Sequence, residues 1–100
     1  MVTTTETREE AARLARSAVE KRLAACAQVG GPISSTYWWK EAVETATEWQ
    51  CVFKTTADRL EALRALLESE HSYETPEIVA TPIVAGSSDY LAWIERETAS

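Results

Sequence analysis

Apolar and polar residues follow two periods along the chain, and the longer period predicts helices. Thr7 stands three residues before Glu10, which is a capping-box spacing, and apolar residues then recur at helical intervals. A first helix is therefore predicted over Arg8–Leu23. Thr55 and Asp58 are predicted to open a second helix. A single stripe of leucines follows them: Leu60, Leu63, Leu66 and Leu67.

The shorter period, of two residues, predicts extended strands. MVTT is a short first strand. In AACAQVGGPISSTYWW one face carries Ala27, Val29, Ile33, Tyr37 and Trp39. The segment 30–32, Gly-Gly-Pro, interrupts this second strand and predicts a bend or bulge. WQCVFKTT resumes the alternation as a third strand, and the polar KEAVETATE before it is predicted to be the connection of a long hairpin.

The last third of the chain combines a loop, a strand and a helix. SEHSYETPE is polar and predicted to be a loop, whereas IVATPIVA is apolar on both faces and predicted to be a covered strand. GSSD then precedes a short helix over YLAWIERET, with Ser88 as its N-cap. The order β-α-β-β-α-β predicts a single α+β domain over residues 1–100. Its fold is ferredoxin-like, an antiparallel sheet with two helices on one face plus a short C-terminal helix.

The opposite face of this sheet has no predicted cover. It would carry some of the large residues of the strands, among them Val29, Ile33, Trp39, Val52 or Val79. An apolar sheet face with long edge strands exposes a monomer to aggregation. We therefore expect the face to be buried against other subunits.

Composition limits the classes of partner. The chain has 100 residues, 45% of them hydrophobic, and a net charge of −6, so binding to a nucleic-acid backbone is not expected. No apolar run reaches the length that spans a bilayer, so no membrane is expected as a partner. The N-terminal MVTTTETREE lacks the apolar core of a signal peptide, and a cytoplasmic location is the expectation.

Candidate chemistry is concentrated in HSYETPEI, residues 71–78, which contains the chain's single histidine. Cys26 and Cys51 form no CxxC motif and are predicted to be small buried residues in a reducing compartment, with a single disulfide left open. As a nucleophile, either cysteine would need His71 as its base. Both lie inside predicted strands, so no catalytic residue is predicted and the protein is not expected to be an enzyme.

Several segments in order resemble one family. LAACAQV, SSTYWWK, EWQCVFKTT and HSYETPEIVATPIVAGSSDYLAWI are similar to successive signatures of the CutA divalent-cation-tolerance proteins. The similarity extends from about Thr4 to Ile94. It implies a small ferredoxin-like subunit that forms a homotrimer built like the PII signalling proteins. Ser72 replaces the proline of the family's strongest motif, and Glu41 stands where the family often has glycine.

The resemblance also implies a metal, which the residues support only weakly. Copper binding is attributed to bacterial members through a cysteine and a histidine pair, and the matching positions here are Thr3, Glu70 and His71. We therefore expect no certain cofactor and at most weak binding of a divalent metal such as copper, at His71 and Glu70. The alternative is that His71 lies exposed at a helix end, where a cation suits the helix dipole.

A second kind of site is a cleft between subunits. The residues proposed for it are Trp39, Lys54, Tyr73, Glu74 and Glu77, with Lys54 facing a small anionic ligand and the aromatic rings as walls. The alternative role for these residues is packing and subunit contact.

Three classes of function follow. The first is a non-enzymatic, homotrimeric protein of metal tolerance, and the second is a PII-like sensor that binds a small anion between subunits. The third is an enzyme that uses His71 with Glu74 or Glu77 as acid and base. No nucleophile or cofactor loop supports this third class.

Overall fold

The computed structural model describes residues 1–99 and confirms the predicted α+β, ferredoxin-like fold. Four strands form one antiparallel sheet in the order β2-β3-β1-β4. A single 3₁₀ turn, Ala57–Arg59, precedes the second helix. The elements are β1 (Val2–Thr5), α1 (Arg8–Glu20), β2 (Cys26–Trp39), β3 (Ala42–Lys54), α2 (Leu60–Glu70), β4 (Ile78–Val79) and α3 (Ser88–Thr98).

The core forms between the sheet and the two long helices, as the leucine stripe predicts. Cys51 and Phe53, from one face of β3, lie in a single buried cluster with the apolar stripes of α1 and α2. The helical members of the cluster are Ala11, Leu14, Ala18, Leu63 and Leu67. Burial of these side chains is the main favourable term that holds the helices on the sheet.

Helix α1 begins where the sequence predicts and ends three residues earlier. The Thr7 hydroxyl accepts a hydrogen bond from the Glu10 backbone N–H at 3.1 Å, which confirms the predicted cap. The helix ends at Glu20 rather than Leu23, because Arg22 adopts a left-handed conformation, with φ 58°.

The residues after Glu20 close α1 with a Schellman motif. The N–H of Leu23 donates to the carbonyl of Ala18, and that of Arg22 donates to the carbonyl of Val19, both at 3.0 Å. Leu23 therefore leaves the helical path while its side chain still packs against the core. The apolar period continued past the true helix end because the residue remains partly buried.

The β2–β3 hairpin is longer than predicted. Pairing runs from Cys26 opposite Lys54 to Trp39 opposite Ala42. The connection is only Lys40 and Glu41, both with positive φ, as in a two-residue hairpin turn. The prediction that KEAVETATE is a connecting loop is therefore wrong. All of it after Lys40 and Glu41 belongs to β3, and it is mostly polar because the outer half of the hairpin is exposed on both faces.

The predicted bend in β2 is confirmed as a bulge. Gly30 pairs with Gln50 and Ile33 pairs with Glu48, so β2 takes three steps where β3 takes two. Gly31 sits inside the bulge with φ 140°, and a Cβ there would lie 2.8 Å from Cδ1 of Trp49. The close approach of the Trp49 ring therefore requires glycine at this position.

The fourth strand is much shorter than predicted. Only Ile78 and Val79 pair with β1, although IVATPIVA was predicted to be a covered strand. Val79 already lies opposite Val2, the first residue of β1, and Pro82 has no N–H to donate. The chain beyond β4 is consequently exposed, with Ile83 at 49% and Val84 at 91%.

The last two helices begin close to their predicted starts. Helix α2 begins at Leu60, after the 3₁₀ turn, and the hydroxyl of Thr56 donates to the Asp58 carboxylate at 2.6 Å. In α3, the capping position is Ser87 and not Ser88, which is the first helical residue. No helix within residues 1–99 is long and apolar enough to cross a membrane.

The bulge yields a stability prediction. Gly31→Ala should lower the free energy of unfolding by about 1–3 kcal/mol, because φ 140° is strained for alanine and the Trp49 ring must move. Gly30→Ala is the matched control, since nothing lies within 4 Å of a Cβ there. It should be neutral or stabilise the fold by up to about 1 kcal/mol. Urea unfolding measures both, and equal losses would contradict this account of the bulge.

Candidate functional site

His71 is buried rather than exposed at a helix end, so that alternative is wrong. It follows the last turn of α2, and its side chain is 0% exposed. Its Nε2 lies 2.8 Å from the Thr4 carbonyl and 3.1 Å from the Thr3 hydroxyl. Its Nδ1 accepts the backbone N–H of Tyr73 at 3.1 Å. This network assigns the proton to Nε2.

Two further contacts hold the loop that follows His71. The Thr3 hydroxyl donates to the backbone carbonyl of Glu77 at 2.6 Å, which ties the end of the loop to β1. The Glu10 carboxylate accepts the backbone N–H of Ser72 at 2.8 Å and the Ser72 hydroxyl at 2.7 Å. Its Oε2 also lies 3.6 Å from Nδ1 of His71. Glu10 thus serves the loop as well as the first turn of α1.

Tyr73 crosses the end of β1 and reaches β3. Its hydroxyl donates to Oε2 of Glu48 at 2.7 Å, and the rings of His71 and Tyr73 lie 5.0 Å apart. β1 ends at Thr5, opposite Trp49, so Glu48 is the first β3 residue without a β1 neighbour. Burial, followed by the hydrogen bond and charge of Glu48, raises the pKa of the Tyr73 phenol above its ordinary value.

Glu48 is the site residue that the sequence reasoning missed. It is only 8% exposed although it is charged. The chain offered one signal for it, because it belongs to the same alternation as Gln50, Val52 and Lys54 on one face of β3. The predicted strand began one residue later, at Trp49, and so left Glu48 in a loop.

The two predicted metal ligands have other partners. The Glu70 carboxylate lies 3.4 Å from Nη1 of Arg13, 3.1 Å from the Ser17 hydroxyl and 3.5 Å from Nζ of Lys21. Both ring nitrogens of His71 are already hydrogen-bonded. Within residues 1–99 no three His, Cys, Asp or Glu side chains are grouped so that they could hold an ion. The donor set at these positions does not fit a tight copper site.

The predicted cleft residues are spread along one chain. Trp39 is at the tip of the hairpin, opposite Ala42, whereas Lys54 is at its base, opposite Cys26. Tyr73 contacts Glu48 midway between them, six residues from either end of β3. At about 3.3 Å per residue these points are about 20 Å apart. A single chain therefore does not bring these three side chains together.

The remaining predicted site residues lie at the surface or in the sheet. Glu74 and Glu77 are exposed. Both cysteines are free thiols, and burial raises the pKa of Cys51 to about 12, so this thiol stays protonated. Cys26 lies 3.4 Å from the Tyr90 hydroxyl.

Comparisons with known proteins agree over nearly the whole length of the chain. The model of the CutA1 divalent ion tolerance protein family matches residues 1–97. The divalent-cation tolerance protein CutA of Archaeoglobus fulgidus is 41% identical over 88 residues, 88% of this chain and 85% of that protein. The chloroplastic protein CutA 1 of Oryza sativa is 37% identical over 95 residues, 95% of this chain and 54% of the rice protein.

Solved structures agree with the fold. A structure described as the periplasmic divalent cation tolerance protein CutA from Archaeoglobus fulgidus has a TM-score of 0.94 and 38% identity, covering 98% of this chain and 95% of that one. CutA from Synechococcus elongatus has a TM-score of 0.89 and 44% identity, covering 98% and 87%. The four-stranded sheet and three helices described above are thus shared with these proteins.

The contact between Tyr73 and Glu48 yields a prediction. Tyr73→Phe removes the hydroxyl that satisfies a buried carboxylate, and should lower the free energy of unfolding by about 1–3 kcal/mol. Tyr90→Phe is the matched control, because that tyrosine is exposed and should change stability by less than about 0.5 kcal/mol. Urea unfolding measures both variants. Equal effects would show that Glu48 does not depend on the phenol.

Proposed function

The chain belongs to the CutA1 divalent ion tolerance protein family, and we propose that it acts in tolerance of divalent cations as a homotrimer that catalyses no reaction. Membership in this family confirms the predicted resemblance and supports the proposed role in tolerance of divalent cations. The trimer, the weak binding of metal, the absence of catalysis and a cytoplasmic location are our proposals. Named relatives are described as periplasmic or chloroplastic, so location differs among them.

One observation carries the proposed assembly: the outer half of the β2–β3 hairpin projects with large apolar side chains uncovered. Trp38 is 75% exposed, Trp39 47% and Val43 59%. The chain beyond β4 adds Ile83 and Val84, also exposed. Large apolar side chains left exposed together in this way indicate an interface between proteins. Contact between two different surfaces of neighbouring copies closes into a ring when the rotation is three-fold.

Metal binding in this proposal is weak and poorly selective. An ion at His71 and Glu70 would have to displace the hydrogen bonds of the imidazole to β1 and the contacts of Glu70 with Arg13 and Lys21. The remaining donors near them are carboxylates and hydroxyls, which do not favour copper over other divalent ions. Exposed carboxylates of the 71–78 segment would bind such ions only loosely.

The second candidate function is the PII-like sensor. Trp39, Lys54 and the Tyr73 contact are separated along the β2–β3 hairpin, so only neighbouring copies could bring the three side chains together around a small anionic ligand. The proposed assembly is compatible with such an intersubunit cleft. Nucleotides and small anions titrated into the assembled protein test this alternative, and binding that Tyr73→Ala and Glu77→Ala impair without unfolding the protein would favour it.

The assembly prediction compares two valine substitutions. Sedimentation equilibrium at micromolar concentration should give three times the 11.1 kDa chain mass. Val43→Glu places a charge on the projecting hairpin and should dissociate the trimer. Val19→Glu is the matched control on α1, which packs on the inner half of the hairpin rather than the exposed outer half, and it should leave the mass unchanged. A stable, folded monomer of the unaltered chain would contradict the proposal.

The metal prediction is a calorimetric titration with copper and with other divalent ions. We expect dissociation constants in the micromolar range or above, about −8 kcal/mol or weaker, with little preference for copper. His71→Ala should change this binding little, since its nitrogens are occupied within the fold. A tight stoichiometric copper complex that disappears in His71→Ala would be incompatible with the proposal.

A further inference from the structure

The Glu48 carboxylate is buried without a cation. It is 8% exposed, and its hydrogen-bond partner is the neutral hydroxyl of Tyr73. None of the ion pairs found among residues 1–99 includes it. Burying a carboxylate without a counter-charge is unfavourable. The structure therefore leaves a negative charge that something outside the chain can neutralise.

Lys54 presents the opposite case on the same strand. Its ammonium donates to the neutral amide oxygen of Gln28 at 2.8 Å, and no carboxylate in the described part of the chain pairs with it. Glu48 and Lys54 are six residues apart on β3, so both lie on the face opposite the buried Cys51 and Phe53. They are separated by about 20 Å, and the strand between them cannot fold back to bring them together.

The surroundings of the two residues make this sheet face electrically polar. Glu6 follows the end of β1, and its charge acts together with that of Glu48 on the Tyr73 phenol. The Glu48 end is therefore negative. The Lys54 end is positive, and no glutamate or aspartate within residues 1–99 neutralises it. Two copies packed head to tail through this face would place opposite ends together.

We propose that Glu48 of one copy pairs with Lys54 of a second copy, so that the site at Tyr73 is complete only in the assembly. The proposal rests on the homotrimer proposed above and goes beyond it by naming the groups that join. Each copy supplies one carboxylate and one ammonium to different neighbours, which is the requirement for a closed ring of heterologous contacts. Once paired, each charge gains a partner of opposite sign, which the neutral Tyr73 hydroxyl and the neutral Gln28 amide do not supply.

A divalent cation at Glu48 is less well supported. One carboxylate and one phenol supply too few oxygen ligands for Ca²⁺ or Mg²⁺, which take six or more in most sites. No third acidic or imidazole ligand is grouped with them among the described residues. A lysine ammonium needs only the one carboxylate that Glu48 provides.

The test measures dissociation of the assembled full chain by sedimentation equilibrium over a dilution series, at low and at high salt. Glu48→Gln keeps an acceptor for the Tyr73 hydroxyl but removes the charge, and Lys54→Gln removes the ammonium. Each should raise the dissociation constant by at least about tenfold. The double variant should be no weaker than the weaker single variant, because the pair is lost once. Glu44→Gln, an exposed glutamate on the same face of β3, is the control and should change nothing.

Variants that exchange the two charges distinguish loss of the ion pair from a general loss of folding. Glu48→Lys alone should dissociate the assembly, and the combination with Lys54→Glu in one chain should restore it. Circular dichroism checks that each variant is folded, and if Glu48→Gln fails to fold, Lys54→Gln and the exchanged chain decide the question. High salt should weaken the unaltered assembly more than the double variant.

The outcomes distinguish the proposed Glu48–Lys54 pair from the proposed homotrimer on which it rests. If the unaltered chain is a monomer, both the homotrimer and the pair are wrong. If it assembles but single variants leave the dissociation constant unchanged, or their effects add fully, only the pair is wrong. The pair would likewise be wrong if Mg²⁺ or Ca²⁺ bound stoichiometrically, and Glu48→Gln abolished that binding without affecting assembly. The partner of Glu48 would then be a metal ion rather than the Lys54 ammonium.

Discussion

The hydrogen bond between the buried His71 imidazole and the Thr4 carbonyl determines how the candidate site is built. It fixes the end of α2 against β1, and the second ring nitrogen then holds the backbone of Tyr73. With its backbone held there, the Tyr73 side chain passes the end of β1 and reaches Glu48. His71, first considered as a metal ligand, thus has a structural role, because both of its ring nitrogens are hydrogen-bonded within the fold. Such a histidine is satisfied by the fold itself, which leaves little affinity for an ion.

Local signals predicted the helices well, whereas the strands depended on partners far away in sequence. The cap at Thr7 lies within three residues of its acceptor, so it can be inferred from the sequence. The length of β4 depends on β1, some 75 residues earlier by the pairing of Thr3 with Ile78. The outer hairpin was mistaken for a loop because a strand exposed on both faces has no apolar alternation. Neither error could be corrected from a single sequence.

The site shows the same limit more sharply. His71 contacts Thr3 and Thr4, which are 68 and 67 residues away, and Tyr73 contacts Glu48, 25 residues away. The motif HSYETPEI supplies the buried imidazole and the phenol, but their contacts depend on which backbone and side-chain groups of β1 and β3 lie beside them. Glu48 is not predicted as a site residue because an isolated acidic residue in a polar segment is ordinary, and its burial depends on its place in β3 just beyond the end of β1.

The proposed role in metal tolerance and the proposed weak metal binding are compatible with each other if the proposed assembly is what the subunit is built for. The single histidine, together with Glu10 and Thr3, makes hydrogen bonds that hold the loop after α2 in place. That loop leaves one carboxylate buried beside a neutral phenol, while an ammonium on the same face is held by a neutral amide. Charges in this state gain more from a partner of opposite sign than exposed charges do, because water screens them less. In the proposed assembly, the charges on this face would favour one orientation between copies, whereas the exposed apolar hairpin would supply contact area without specifying direction. A function that depends on this protein would then respond to conditions that change assembly, such as salt, as well as to the concentration of any ion it binds.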